Sequence, residues 1–110
     1  MRKSILMSFT CLMFCNPAIC STGWITTRVQ YAGTYGNGDV YVVFSDNINE
    51  PECTAPRIDV PATHPNARNI LATAYAAIAA GLPVAVSTGG CFNGYPTLDT
   101  ARQTGFMLRS

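Results

Sequence analysis

One stretch of this chain, NILATAYAAIAAGLPVAVSTGGC from Asn69 to Cys91, limits what the rest can fold into. Its first part carries apolar residues at helical spacing, with Ile70, Leu71, Ala74, Ala77 and Ile78 in a narrow stripe and Tyr75 beside it. Alanine fills most other positions, and such small side chains let a helix approach a sheet closely. Asn66 is the expected N-cap, Gly81 suits the left-handed position past the last turn, and Pro83 stops continuation. The chain then becomes the β-branched strand VAVST (84–88) and a glycine-rich turn, GGCFNGYP, pinned at Cys91. It is the one helix expected among the strands, so it must pack against them, which predicts an α+β, mainly β class.

The strands around it are short. WITTRVQY (24–31) alternates, placing Ile25, Thr27, Val29 and Tyr31 on one face and Trp24, Thr26, Arg28 and Gln30 on the other. The Asn37-Gly38 pair in AGTYGNGD signals a hairpin, and VYVVFS (40–45) is the returning strand, with Val40, Val42 and Phe44 facing one way. DNINEPECTAP (46–56) is a polar loop, RIDV (57–60) a short third strand, and PATHPNARN (61–69) a loop into the helix. A final strand is expected at 105–109. Five short strands with one helix between the third and fourth is the element order of a small OB-like five-stranded barrel. A length of 110 residues allows one domain, placed at 21–110.

Residues 1–20 have the layout of a secretory signal peptide: the basic start MRK, the uncharged run ILMSFTCLMF, then NPAICS with small residues. The apolar run is too short to span a bilayer, and a short membrane anchor is the alternative reading. Cleavage is expected after Cys20, with Ala18 as the second choice. A lipoprotein acylated at Cys20 is disfavoured by Ile19 before it. Secretion or residence in the periplasm follows. Of five cysteines, Cys53 and Cys91 then remain, and two cysteines in an exported chain read as one disulfide. Closing a loop of that length is worth on the order of 4 kcal/mol in the chain-entropy treatment. Losing Arg2 and Lys3 turns a net charge of +1 into −1. No basic patch remains for a phosphate backbone, so no nucleic-acid partner is expected.

No enzyme, metal or cofactor motif stands out. His64 is the single histidine, and no nucleophile or orienting acid accompanies it in sequence. Asp46, Glu50 and Glu52 lack the spacing and central glycine of a calcium loop and read as a solvated loop. STGGC has the glycines of an anion nest but precedes no helix, so it reads as a tight turn before the disulfide. The aromatic residues Trp24, Tyr35, Tyr41, Phe92 and Tyr95 lie in or near turns, or opposite the aliphatic face, beside Asn and Thr. As a group they suit recognition of carbohydrate or protein, and Tyr35 and Tyr95 are the candidate glycan contacts among them.

With the element order in place, ILATAYAAIAAGLPVAVSTGG, then GYPTL, then GFML resemble the B subunits of the subtilase-cytotoxin and typhoid-toxin type. TGWITTRVQYAG followed by VYVVFS fits the first hairpin of that family, and Cys53 falls where the family has a cysteine. The resemblance covers most of residues 22–109. It implies an OB fold, a ring pentamer, binding of sialylated glycans, and delivery of a separate catalytic A subunit, with no catalysis by this chain. Two departures stand out. The family has an extension ahead of the first strand, and this chain has almost none after the expected cleavage. Its glycan contacts include a serine at the start of the first strand and an aromatic at the end of the fourth, where this chain has Thr22 and Thr88. Thr22 keeps a hydroxyl, whereas Thr88 loses the ring face. The alternative function is a stand-alone secreted or periplasmic domain that binds a protein partner or inhibits an enzyme.

Overall fold

The computed structural model describes residues 23–110. The expected signal peptide and Thr22 lie outside them. The elements are β1 (Ile25–Thr27), β2 (Val29–Thr34), β3 (Val40–Ile48), β4 (Ala55–Val60), α1 (Ala67–Ala80), β5 (Val84–Ser87), β6 (Cys91–Phe92), β7 (Tyr95–Pro96) and β8 (Gly105–Leu108). All pairs are antiparallel, in three sheets ordered β1-β5-β8, β2-β3-β4 and β6-β7. Among the described residues the class is small and mainly β with one helix, as expected. The expected five-stranded closed barrel is not what the described residues form, because none of the three sheets closes on itself.

The difference starts at Arg28. The expected first strand divides there, so β1 pairs with β5 while β2 pairs with β3. A register shift between Val29 and Tyr31 inserts one extra residue against β3. In a structure of period two, one residue reverses every side chain beyond it. Tyr31, expected on the face of Ile25 and Thr27, is therefore 56% exposed. The third strand begins at Ala55 rather than Arg57, and the turn 89–96 contains the hairpin β6–β7.

Helix α1 ends as its sequence dictates. Gly81 sits at φ 66° and ψ 30°, and the last carbonyls receive Gly81 N–H at Ile78 and Leu82 N–H at Ala77. Arg28 Nη1 adds a bond to the Gly81 carbonyl at 2.8 Å. The buried stripe is Ala67, Ile70, Ala74 and Ala77, whereas Ile78, expected within it, is exposed. Ala74 and Ala77 bring the helix close over the core made by Val40, Val42 and Phe44 of β3, Ile58 and Val60 of β4, and Val84 and Val86 of β5. Phe44 meets Phe106 edge-on at 5.8 Å, joining the two larger sheets. Among the described residues, no helix is long and apolar enough to cross a membrane.

Candidate functional site

Strand β4 alternates between two environments. Ile58 and Val60 point into the core, so Arg57 and Asp59 must occupy the opposite face of the β2-β3-β4 sheet. Tyr41 on β3 stands directly across from Asp59, and Gly33 on β2 directly across from Tyr41. An added Cβ on Gly33 would lie 2.6 Å from the Tyr41 hydroxyl oxygen, so the bare backbone of Gly33 is what lets the ring lie down across β2. Tyr35, at the end of β2, stacks at a tilt against Tyr41 with centroids 5.1 Å apart. Tyr95 comes from the β6–β7 hairpin, which lies over the outer side of β4.

These residues surround one ion pair. Asp59 is 0% exposed, and its Oδ1 accepts from Arg57 Nε at 2.8 Å. Its Oδ2 accepts from the Tyr35 hydroxyl at 3.1 Å and from Asn93 Nδ2 at 3.4 Å. The Tyr35 oxygen accepts in turn from Arg57 Nη2. The guanidinium carbon lies 4.3 Å from the ring centre of Tyr95, 5.2 Å from that of Tyr41 and 5.8 Å from that of Tyr35. A cation set among three rings and tied to a buried carboxylate is held in one orientation. Burial and the Asp59 carboxylate push the Tyr35 phenol above its ordinary value. Burial opposes the charge on Arg57, but Asp59, Tyr35 and Tyr95 together outweigh it and raise the guanidinium.

The hairpin that carries Asn93 and Tyr95 is anchored at its base. Cys53 and Cys91 form the expected disulfide, 38 residues apart in sequence. Beside it, Glu50 accepts from Thr88 Oγ1 at 2.6 Å and from Gly90 N–H at 3.1 Å. Glu50 is therefore a buried clamp between two loops and not the solvated loop residue expected from sequence. Asn93 adopts φ 56°, the left-handed region that asparagine tolerates better than most residues.

Of the candidate glycan contacts, the fold brings Tyr35 and Tyr95 together around Arg57. Thr88 is elsewhere, 0% exposed and engaged with Glu50, so a ligand on the surface does not reach its hydroxyl. Arg57, Asp59 and Asn93 are not among the ligand contacts expected from sequence. The R-x-D spacing in RIDV was the available signal, since it puts both charges on one face of a strand. Among the described residues no group of three or more His, Cys, Asp or Glu side chains is placed to hold a metal ion. In comparisons with known proteins, no family model, no curated protein and no solved structure matches the chain.

Proposed function

We propose that this chain is an exported, non-enzymatic binding module that takes a glycan on the face formed by Tyr35, Tyr41, Arg57 and Tyr95. The supporting observation is the guanidinium fixed among three tyrosine rings above a buried carboxylate. Such a surface offers ring faces for the C–H side of a sugar and directional donors for its oxygens. Tyr35 is 38% exposed and the Arg57 side chain 22% exposed, so the cluster meets solvent without being dissolved in it. Arg57 spends Nε and one Nη2 proton inside the cluster. The remaining N–H groups suit an acidic sugar such as a sialylated terminus, the class that the toxin B-subunit resemblance implies.

An OB-like architecture fits the same reading. Taken as one strand bent at Arg28, β1 and β2 join the two larger sheets into a single strip, β4-β3-β2/β1-β5-β8. Curling that strip leaves only the seam between β4 and β8 to close. The outer face of α1, where Tyr75 is 50% and Ile78 44% exposed, would be covered in a ring pentamer. A disulfide-bonded chain of this kind belongs in the periplasm or outside the cell, where a catalytic A subunit would be its partner. That exposed helix face also favours the second reading, a stand-alone domain docking on another protein.

A glycan array probed with the oxidised protein and its Tyr95→Ala variant tests the first reading. Signals on sialylated glycans that disappear in the variant are expected. A silent array, or signals the variant retains, would reject the tyrosine cluster as the site.

A further inference from the structure

A second part of the surface is built for a ligand of different chemistry. Where α1 meets the segment after β7, a groove of about 400 Å³ opens between Asn69, Ile70 and Thr73 on the helix and Thr100, Thr104 and Phe106 opposite. A second cavity of about 350 Å³ adjoins it, walled by Pro61, Thr63, Phe92 and Thr97. The two share His64, Pro65, Leu98, Asp99 and Thr100. His64 marks the boundary between them. Its Nδ1 accepts from the Asn66 backbone N–H at 3.0 Å, and its Nε2 lies 3.0 Å from the Asp99 carbonyl. A backbone N–H can only donate and a carbonyl only accept, so the two contacts fit the tautomer that carries its proton on Nε2. His64 thereby fixes the loop before α1 to the loop after β7.

The lining is amphipathic in a specific way. Ile70 and Leu98 form a buried apolar floor, and Phe92 and Phe106 add half-buried rings. Around them stand uncharged hydroxyls and amides: Thr63, Asn69, Thr73 and Thr100. The Thr97 hydroxyl in the second wall is buried with no hydrogen-bond partner among the described residues. Neither cavity is lined by lysine or arginine. The one carboxylate, Asp99, already accepts from Ala101 N–H at 2.8 Å and Thr104 Oγ1 at 3.0 Å through Oδ1. An anion would find no countercharge here, and a purely apolar ligand would strip water from the hydroxyl rim without replacing it.

We infer that this double groove is a binding site for a neutral saccharide, separate from the tyrosine cluster, with one sugar ring on each side of His64. The C–H face of each ring would lie on the apolar floor, and its hydroxyls would meet the Thr and Asn rim. The inference does not depend on the glycan reading of the Arg57 cluster.

Protein-detected NMR titration of the whole oxidised chain tests it, with lactose, maltose, chitobiose and sialyllactose as probes. Three proteins are compared: the unaltered chain, the double variant Asn69→Ala/Thr100→Val, and Tyr95→Ala. Asn69 and Thr100 are exposed, so their replacement leaves the core intact. At least one neutral disaccharide is expected to shift the amides of 63–73, 97–106 and Phe92. The double variant should weaken that response about tenfold or more, a loss of about 1.4 kcal/mol, and Tyr95→Ala should leave it unchanged. Sialyllactose should move the same amides no more strongly than lactose. Silence of these amides toward all three neutral sugars would overturn the inference. So would a response to sialyllactose alone, or one the double variant leaves intact. Shifts confined to 93–96 and to Arg57 would locate binding at the tyrosine cluster instead and equally reject this groove.

Discussion

Asp59 organises its surroundings because a carboxylate removed from water has to find donors, and it finds three: Arg57, Tyr35 and Asn93. Replacing it by asparagine keeps the shape and removes the charge that holds Arg57. We expect Asp59→Asn to lower stability by about 1.5–3 kcal/mol in urea unfolding, the range for hydrogen bonds to charged groups, and to reduce the near-ultraviolet dichroism of the tyrosines. Tyr35 supplies a pH test. Its folded phenol holds its proton more tightly than an unfolded tyrosine, which loses it near pH 10. The stabilisation is present in full below that pH, and falls as pH rises through the unfolded and then the folded titration, because unfolding then releases a proton. Absorbance titration should show a tyrosine that ionises above the pH of an unfolded one, and Tyr35→Phe should remove that late step. At this scale the sequence was half legible. Alternation in RIDV was enough to put Arg57 and Asp59 on one face. It could not show that Tyr95, from a distant hairpin, would close over them. Nor could it show that Thr88 would turn inward to Glu50, since both depend on tertiary packing rather than local periodicity.

The hairpin β6–β7 is two residues per strand, far below what stands alone in water. Its position comes from its anchors: the disulfide, Glu50 on Gly90 N–H, and paired backbone bonds of Thr97 with Gly89 and Gly90 at 2.9 and 3.1 Å. Exchanging Cys53 and Cys91 together for serine should cost up to about 4 kcal/mol, read as a lower urea midpoint. It should weaken the glycan binding proposed for the tyrosine cluster before the core is lost, since only the hairpin side of the cluster is released. On the opposite side, Gly33→Ala would force Tyr41 off β2. A loss of about 1–3 kcal/mol is expected from such overpacking, measurable by thermal unfolding, with a displaced Tyr41 ring in the spectrum. Elements were the most legible level of this protein. The helix, its Gly81 stop, the Asn37-Gly38 turn and the last strand were each signalled by local chemistry. The break at Arg28 was not, because the residues 24–31 alternate without interruption and the extra residue is visible only against β3.

At the scale of the described domain, the disulfide and a helix packed on two sheets were legible, and the arrangement of those sheets was not. Element order alone fits both a closed barrel and separate sheets, and among the described residues none of the three sheets closes on itself. Assembly belongs to this scale as well. Light scattering on the oxidised protein should give a mass near five copies if the exposed Tyr75 and Ile78 face is an interface, and Ile78→Asp should return it to one. A monomer before mutation would move the choice to the stand-alone module. One further contact supplies a probe of the β1-β5-β8 sheet. Trp24 lies against Gly105 so closely that a Cβ there would come within 2.8 Å of its Cη2, and it is the only tryptophan of the chain. It precedes β1 at one edge of its sheet, while Gly105 begins β8 at the other. The indole therefore spans the sheet from edge to edge, and its emission reports whether those edges are still together. If β8 detaches before the core melts, tryptophan fluorescence will change at a lower denaturant concentration than circular dichroism, so the protein contains its own gauge of local opening.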